Sequence, residues 1–226
     1  DSRAVTFEYN QRGHQVYRVL ELSAETGKVR PLIEESSDKY VNYTRHFRHD
    51  LRDNKHIIWM SERDNWNHLY MYDRTTAQPV HQITKGEWNV SAFLGYDEKS
   101  RSYFYESNQE GPLYKAIYKI NEKGIETKLS ERIGTNQASF NPSCTYFINK
   151  YSNSNEPLLV TVCDAKGKVI RTLEDNATLK ARIAQTDLPR KEFFTCPNHA
   201  GDQMNGYILK PTNFDPSKRY QIGRAS

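Results

Sequence analysis

Hydrophobic and polar residues alternate along this chain in short runs that are rich in aromatic and β-branched side chains. The runs HIIWMSER and NHLYMYD flank a polar turn around Asp64-Asn65, a pattern that predicts a β-hairpin. A similar run, YVNYTRHFR (40 to 48), precedes this hairpin, and PVHQITKG (79 to 86) follows it. We therefore predict four antiparallel strands in a row.

The same unit recurs along residues 1–175. Equivalent apolar positions in the second strand, Phe7, Ile58, Phe104 and Phe147, are 51, 46 and 43 residues apart. A period of about 40 to 50 residues with four strands is typical of β-propeller blades. The predicted second strands are 5–10, 56–62, 102–108 and 145–152; the third are 15–22, 68–73, 113–120 and 157–164; the fourth are 28–33, 79–84, 125–130 and 168–174; first strands, 40–48, 89–97 and 137–143, precede only the last three units.

Two fold classes fit this repeat. The first is an all-β partial β-propeller of about four four-stranded blades, whose first blade lacks one strand. The second is a β-sandwich of about 14 strands. We favour the propeller because a sandwich has no reason to repeat its turns at one spacing.

The pattern changes after Leu173. Asp175 and Asn176 are good N-cap residues, and Leu179 and Ile183 lie four apart on one helical face. We predict one short helix that ends before Pro189. A further hairpin, KEFFTCP (191 to 197) with MNGYILKP (204 to 211), lies outside the blade period.

Composition narrows the functional class. The chain has 226 residues, 12% of them aromatic, and a mean hydropathy of −0.87. No apolar run approaches the roughly 20 residues of a membrane-spanning helix, so we expect no membrane span in this chain. The net charge of +4 is spread along the sequence, and we therefore expect no nucleic-acid binding.

A few residues invite a chemical interpretation. His46 and His49 have metal-ligating side chains, but on one strand they would point to opposite faces, so we expect no metal site. Arg63, Asp64 and Trp66 in the central turn could face a substrate cavity. The favoured alternative is that Asp64 accepts backbone N–H groups of the turn while Trp66 fills space between blades.

The three cysteines raise the question of a disulfide. If the last hairpin turns at Asn153-Ser154, Cys144 and Cys163 face each other and could form a bond in an oxidising compartment. Free buried thiols are the alternative. Cys196 has no evident partner.

Four segments carry a family resemblance. WMSERDNWNHLYMYD, QITKGEW, RTLEDNATLK and NFDPSKRY resemble, in this order, the dipeptidyl peptidase IV family of serine peptidases of the prolyl-oligopeptidase-like S9 type. The resemblance runs from about Thr6 to Tyr220, and the last six residues, QIGRAS, depart from it. It implies an eight-bladed propeller followed by an α/β-hydrolase domain that removes dipeptides from peptide N-termini, often after proline or alanine. The implied regions are blades at 1–175, a linker helix at 176–189 and the first hairpin of a truncated hydrolase domain at 190–226.

The resemblance also sets expectations for the site. No Gly-x-Ser-x-Gly elbow occurs in the chain, so we expect no catalytic residue here and place the Ser, Asp and His of the triad beyond Ser226. The family holds the substrate's amine with a glutamate pair in an earlier blade insertion, so we interpret Glu34-Glu35 as solvated loop charges. Tyr43 and Arg45 lie on a predicted first strand near the substrate in this family, and Arg45 is kept as a substrate contact.

The remaining expectations follow from the same resemblance. We expect no cofactor, and as partners peptide substrates, the missing hydrolase domain, the remaining blades and a homodimer. The location would be periplasmic, cell-surface or secreted. The alternative is a stand-alone periplasmic propeller that binds a partner and has no peptidase activity. The segment after Pro189 argues against it, because a free-standing propeller would close its ring with a returning strand.

Overall fold

The structure, a computed structural model, describes residues 3–221 and 223. It consists of antiparallel meanders in which each strand pairs with its neighbours in sequence. Blade 1 contains β1 (Ala4–Asn10), β2 (Val16–Ser23) and β3 (Val29–Ser36); blade 2 contains β4 (Arg48–Asp50), β5 (His56–Ser61), β6 (His68–Asp73) and β7 (Gln78–Gln82). Blade 3 contains β8 (Val90–Asp97), β9 (Ser102–Ser107), β10 (Ala116–Asn121) and β11 (Glu126–Lys128); blade 4 contains β12 (Thr135–Phe140), β13 (Tyr146–Asn153), β14 (Glu156–Asp164) and β15 (Val169–Glu174).

The predicted helix and second hairpin follow the blades. Helix α1 spans Ala177–Ala184, and β16 (Lys191–Pro197) pairs only with β17 (Gln203–Leu209) in a separate two-stranded sheet. No helix among residues 3–221 and 223 is long and apolar enough to cross a membrane.

The blades stack face to face, which distinguishes a propeller from the sandwich alternative. In β5, Ile57 and Trp59 pack in a core shared with blade 1, whereas Ile58 and Met60 pack in a core shared with blade 3. A third core joins blades 3 and 4 through Phe104 and Phe147, among others. Successive side chains of a strand point to opposite faces of its sheet. A strand in a blade that is packed between two other blades is therefore buried at every position. The all-β partial propeller is therefore confirmed.

Each junction between blades adds a different kind of polar contact. Between blades 1 and 2, Glu21 accepts hydrogen bonds from Arg30 and Arg74. Burial alone would raise the pKa of Glu21, but these two guanidinium groups lower it overall. Between blades 3 and 4, Oε1 of the buried Glu106 accepts the backbone N–H of Ala138 at 2.9 Å.

The predicted first strand at residues 40–48 is wrong for most of its length. Residues Tyr43–Arg45 form a 3₁₀ turn, and strand pairing begins only at Arg48. The Oγ1 of Thr44 donates to Oδ1 of Asn42 at 2.7 Å, and the N–H of Val41 donates to the carbonyl of His14 at 2.7 Å. These local and inter-blade bonds compete with an extended strand.

Of the two alternatives for Cys144 and Cys163, the structure supports the free buried thiols and not the cross-strand pairing. The closest cross-strand pair at the tip of the last hairpin is Asn153 with Glu156, and a bulge shifts the register, so Cys163 lies opposite Phe147. Cys144 precedes β13, and both thiols are buried and free. Burial raises the pKa of both thiols. The sequence-based register failed because the turn lies at Ser154-Asn155.

The alternation of strand directions defines two ends of the stack. In a four-stranded meander, the turn between the second and third strands lies at the same end as the exit from the fourth strand. Helix α1 continues from β15 at this end, which we call the α1 end. The turns β5–β6, β9–β10 and β13–β14 and the connections between blades therefore all lie at the α1 end.

Candidate functional site

A cleft of about 720 Å³ opens at the α1 end, where first strands begin and second strands end. We call it the mouth cleft. Its size lies within the range of small-molecule and peptide-binding clefts. Its lining combines backbone, amide, aromatic and cationic groups: Thr44, Arg45, Phe47, Met60, Asn67, Asn89, Val90, Ser91, Ala92, Phe93, Asn108, Pro112, Leu113, Tyr114, Lys115 and Thr135.

Arg45 lies on the rim of the mouth cleft, on the 3₁₀ turn rather than on the strand predicted for it and for Tyr43. Its side chain is 58% exposed, and its Nη1 lies 3.6 Å from Oε1 of Glu62. This separation is longer than a hydrogen bond, and an exposed ion pair of this kind contributes little stability. The guanidinium is therefore exposed on the rim and only weakly held by Glu62.

Three asparagines form the wall between blades 2 and 3. The backbone N–H of Asn67 donates to Oδ1 of Asn89 at 2.8 Å, and the N–H of Asn89 donates to Oδ1 of Asn108 at 2.7 Å. Asn67 Nδ2 also donates to the carbonyl of Val90 at 2.8 Å. Each of the three amide side chains forms a hydrogen bond with a backbone N–H or carbonyl group at the end of a neighbouring strand. These hydrogen bonds hold this wall of the cleft in place.

The sequence interpretation did not identify this asparagine wall. A signal for it was present, because Asn67 and Asn89 stand directly before β6 and β8, and Asn108 directly follows β9. Asn67 is 3% exposed, and its Oδ1 accepts no hydrogen bond from the residues that the structure describes. A buried acceptor without a donor costs free energy, because it has lost its hydrogen bond to water.

The interpretation of Glu34-Glu35 as solvated loop charges is wrong for Glu35. Both residues belong to β3, where their side chains point to opposite faces. Glu34 is exposed and forms an ion pair with Arg18. The side chain of Glu35 is 7% exposed and forms an ion pair with Arg63 of blade 2.

Glu35 has two further donors from blade 2. Trp59 Nε1 donates to its Oε1 at 2.7 Å, and Ser61 Oγ donates to its Oε2 at 2.9 Å. The carboxylate is therefore fully engaged inside the protein. A carboxylate in this state joins blades and is not free to hold a substrate amine.

Arg63 covers this cluster from the solvent side with a side chain that is 29% exposed. It donates to Ser61 Oγ at 2.9 Å and to the hydroxyl of Tyr72 at 2.5 Å, and its guanidinium lies 4.5 Å from the ring centre of Tyr70. Burial alone would lower the pKa of Arg63, but the charge of Glu35 and the hydrogen bonds raise it overall. Arg63 thus joins blades 1 and 2 and does not face the cleft as a free cation.

The remaining residues singled out from the sequence, Asp64, Trp66, His46 and His49, contact other residues of the protein. Asp64 Oδ1 accepts the N–H of Trp66 at 3.3 Å, which confirms its role in the turn, and Trp66 is half-buried. His46 Nδ1 lies 3.1 Å from the carbonyl of Met60, and the ring of His49 packs on Phe93. Burial lowers the pKa of both histidines. Within residues 3–221 and 223, no three His, Cys, Asp or Glu side chains are grouped as metal ligands would be.

The chain is similar to known proteins of one family. The family model described as the dipeptidyl peptidase IV (DPP IV) N-terminal region matches residues 1–158. Dipeptidyl peptidase 4 of Arthroderma otae is 28% identical over 176 residues, and dipeptidyl peptidase 4 of Trichophyton equinum is 26% identical over 178 residues.

The structural comparison covers more of the chain. The crystal structure of Porphyromonas gingivalis dipeptidyl peptidase 4 superimposes with a TM-score of 0.89 and 30% sequence identity, over 97% of this chain and 31% of that one. The two fungal relatives are covered over 22% and 23% of their length, by 74% and 76% of this chain. The chain thus spans between about a fifth and a third of the proteins that it matches.

Proposed function

This chain belongs to the dipeptidyl peptidase IV family, within that family's N-terminal region, and on that premise we propose that it is the non-catalytic propeller part of a serine exopeptidase. The parent enzyme releases dipeptides from the N-termini of peptides, often after proline or alanine. The match of the family model over residues 1–158 carries this proposal. The names of the relatives, which are dipeptidyl peptidases, support the reaction.

The role of the blades in this proposal is to select substrates by exclusion. The stacked sheets are rigid, because neighbouring blades share continuous apolar cores. A rigid wall admits an extended peptide at the mouth cleft and keeps out a folded protein. The guanidinium of Arg45, exposed on the rim, donates hydrogen bonds to the backbone carbonyl groups of the incoming peptide.

We assign β16 and β17 to the beginning of the α/β-hydrolase domain. This hairpin pairs with no blade strand among the described residues, and it exposes Phe193, Phe194 and Ile208. An uncovered apolar surface of this kind is typical of a sheet whose partners are absent. The Ser, Asp and His of the triad then belong to a part of the parent protein beyond Ser226, in agreement with the absence of Gly-x-Ser-x-Gly from the sequence.

The stand-alone binding propeller is the weaker candidate. In that protein the last strands would return to the ring, whereas β16 and β17 form their own two-stranded sheet. The proposed partners of the chain are accordingly peptide substrates, the hydrolase domain, the remaining blades and a second copy of the parent enzyme. We propose a periplasmic, cell-surface or secreted location, where peptide substrates of this kind occur.

Two measurements test the proposal. The reading frame of the parent protein should encode a Gly-x-Ser-x-Gly segment about 70 to 100 residues downstream of Ser226, since the elbow follows the first strands of the hydrolase sheet. The purified full-length protein should release dipeptides from a peptide with proline at its second position, and the 226-residue chain should not. Dipeptide release by the 226-residue chain, or a full-length protein that lacks the elbow, would contradict the proposal.

A further inference from the structure

Asn155 joins the last blade to the hairpin that follows it. It lies at the tip of the β13–β14 turn, at the α1 end. The backbone N–H of Lys191 donates to Asn155 Oδ1 at 3.0 Å, and Asn155 Nδ2 donates to the carbonyl of Lys191 at 3.2 Å. One amide side chain thus binds both backbone groups of the first residue of β16, in the manner of a strand pair.

The turn that carries Asn155 is itself held in place. The backbone N–H of Asn155 donates to Asn153 Oδ1 at 2.9 Å. Asn153 Nδ2 in turn donates to the hydroxyl of Tyr151 at 2.8 Å and to Glu156 Oε1 at 3.2 Å. Glu156 also pairs with Arg132 at 3.0 Å. The position of the Asn155 side chain is therefore set by blade 4.

Apolar packing contributes little to this connection. Helix α1 has no buried residue, and Leu179, Ile183 and Leu188 are 45%, 37% and 59% exposed. A cleft of about 880 Å³ lies between the helix, residues 188–190 and the β13–β14 turn. Where apolar contacts are few, local opening is easy, and directional hydrogen bonds decide the geometry.

We propose that Asn155 is a positioning residue, which fixes the first strand of the hydrolase domain on the last blade and so sets the distance between the mouth cleft and the catalytic centre. This inference rests on the proposed function. A peptide that contacts both parts requires this distance to be correct, and a displacement of about 1 Å costs up to about 100-fold in rate. A small ester that contacts only the triad does not require it.

The test uses the full-length parent protein with three variants: Asn155→Ala, Asn155→Asp and, as a matched control, Ser154→Ala at the exposed neighbouring position. The alanine variant loses both bonds. The aspartate variant keeps the acceptor for the Lys191 N–H and loses the donor to its carbonyl. We measure kcat and KM for a dipeptide substrate with a free amine and for a small acyl ester, together with the melting temperature.

We expect Asn155→Ala to lower kcat/KM for the dipeptide substrate by about tenfold, with the ester unchanged. The kcat/KM of Asn155→Asp for the dipeptide substrate should lie between those of Asn155→Ala and the wild type. The kcat/KM of Ser154→Ala should equal that of the wild type. Equal losses for both substrates with a lower melting temperature would show a merely structural role and overturn the proposal. Unchanged kinetics in both Asn155 variants would overturn it as well.

Hydrogen exchange separates failure of this inference from failure of the proposed function. We expect the amide of Lys191 to exchange faster in Asn155→Ala than in Ser154→Ala, because its acceptor is lost. If the full-length wild type shows no peptidase activity, the proposed function fails, and the exchange of Lys191 alone decides whether Asn155 holds β16. Unchanged exchange in Asn155→Ala would overturn the positioning role in either case.

Discussion

The indole Nε1 of Trp59 in blade 2 lies 2.7 Å from the carboxylate Oε1 of Glu35 in blade 1. The same carboxylate pairs with Arg63, so one acidic side chain binds three donors of the neighbouring blade when Ser61 is included. A buried carboxylate is stable only when it is paired and hydrogen-bonded. The contact between Glu35 and Trp59 therefore makes the junction between the two blades specific.

The first prediction compares Glu35 with its neighbour. Replacing Glu35 with alanine removes the acceptor of two buried donors, Trp59 Nε1 and Ser61 Oγ, and the partner of the partly exposed Arg63, and we expect a loss of about 2 to 3 kcal/mol in the free energy of unfolding. Replacing Glu34, whose side chain is 48% exposed, should cost less than about 1 kcal/mol. Urea unfolding followed by tryptophan fluorescence measures both. Equal losses in the two variants would contradict the assignment of Glu35 to the blade junction.

The second prediction concerns Glu106. Burial raises the pKa of this carboxyl, so the folded state prefers the protonated form. The stability contributed by Glu106 is then complete below the pKa that this carboxyl has in the unfolded chain. It is lost as the pH rises through the pKa that the carboxyl has in the folded protein. We expect Glu106→Gln, which keeps an acceptor for Ala138, to melt higher than the wild type at pH 7.5. The difference should shrink as the pH falls toward 4.5.

Glu110 is the matched control for this pH series. The hydrogen bond from Lys128 lowers the pKa of Glu110, so its contribution is present above the unfolded pKa and is lost as the pH falls through the folded pKa. Glu110→Gln should therefore melt at or below the wild-type temperature at pH 7.5, with a gap that closes in acid. A shift of the same sign in both variants would contradict the opposite roles assigned to the two carboxyl groups.

The third prediction concerns the thiols. Cys144 and Cys163 are buried and Cys196 is half-buried, so an alkylating reagent should label Cys196 first in the native protein. All three should react after denaturation without any reductant. Mass spectrometry counts the labels, and Cys196→Ser should abolish the fast reaction. A protein in which Cys144 and Cys163 react only after reduction would contradict the free state of both thiols.

The fourth prediction tests Arg45 in the full-length protein. Removing its exposed guanidinium with Arg45→Ala should raise KM for a dipeptide substrate up to about tenfold, which corresponds to about 1.4 kcal/mol, with the melting temperature unchanged. Arg52, whose side chain is 80% exposed and lies in the β4–β5 turn at the opposite end of blade 2, is the matched control. Equal kinetics in the two variants would exclude Arg45 as a substrate contact.

Most of the strands could be predicted from the sequence, because the buried strands have distinctive composition. Strands β5 and β9 each contain an unbroken apolar or aromatic run, residues 57–60 in β5 and residues 103–105 in β9, as expected for strands with a blade on each face. In β13, Phe147 and Tyr151 are buried while Tyr146 and Ile148 are exposed, in agreement with a packed blade on one face only. The first strand of blade 2 was not predictable by composition, since local bonds at Asn42 and Thr44 replace the strand.

The candidate site was less predictable than the fold. Glu35 follows the buried Ile33 by two positions, so strand periodicity places both on one face, but an adjacent acidic pair at a strand end also fits a solvated loop. The register of β13 and β14 depends on a bulge that composition does not reveal. Asn155 contacts a residue 36 positions away, and no local pattern predicts such a bond.

The first two junctions between blades differ in their chemistry, and they should therefore separate under different conditions. Blades 1 and 2 are joined by guanidinium–carboxylate pairs at Glu21 and Glu35, whereas blades 2 and 3 are joined by neutral amides such as Asn67. Against the effect of burial, the guanidinium groups of Arg74 and Arg30 lower the pKa of Glu21, so strong acid removes this charge pair, whereas the amides between blades 2 and 3 do not titrate. When the blades are pulled apart at low pH, blade 1 should therefore separate from blade 2 first, and the remaining blades should stay together.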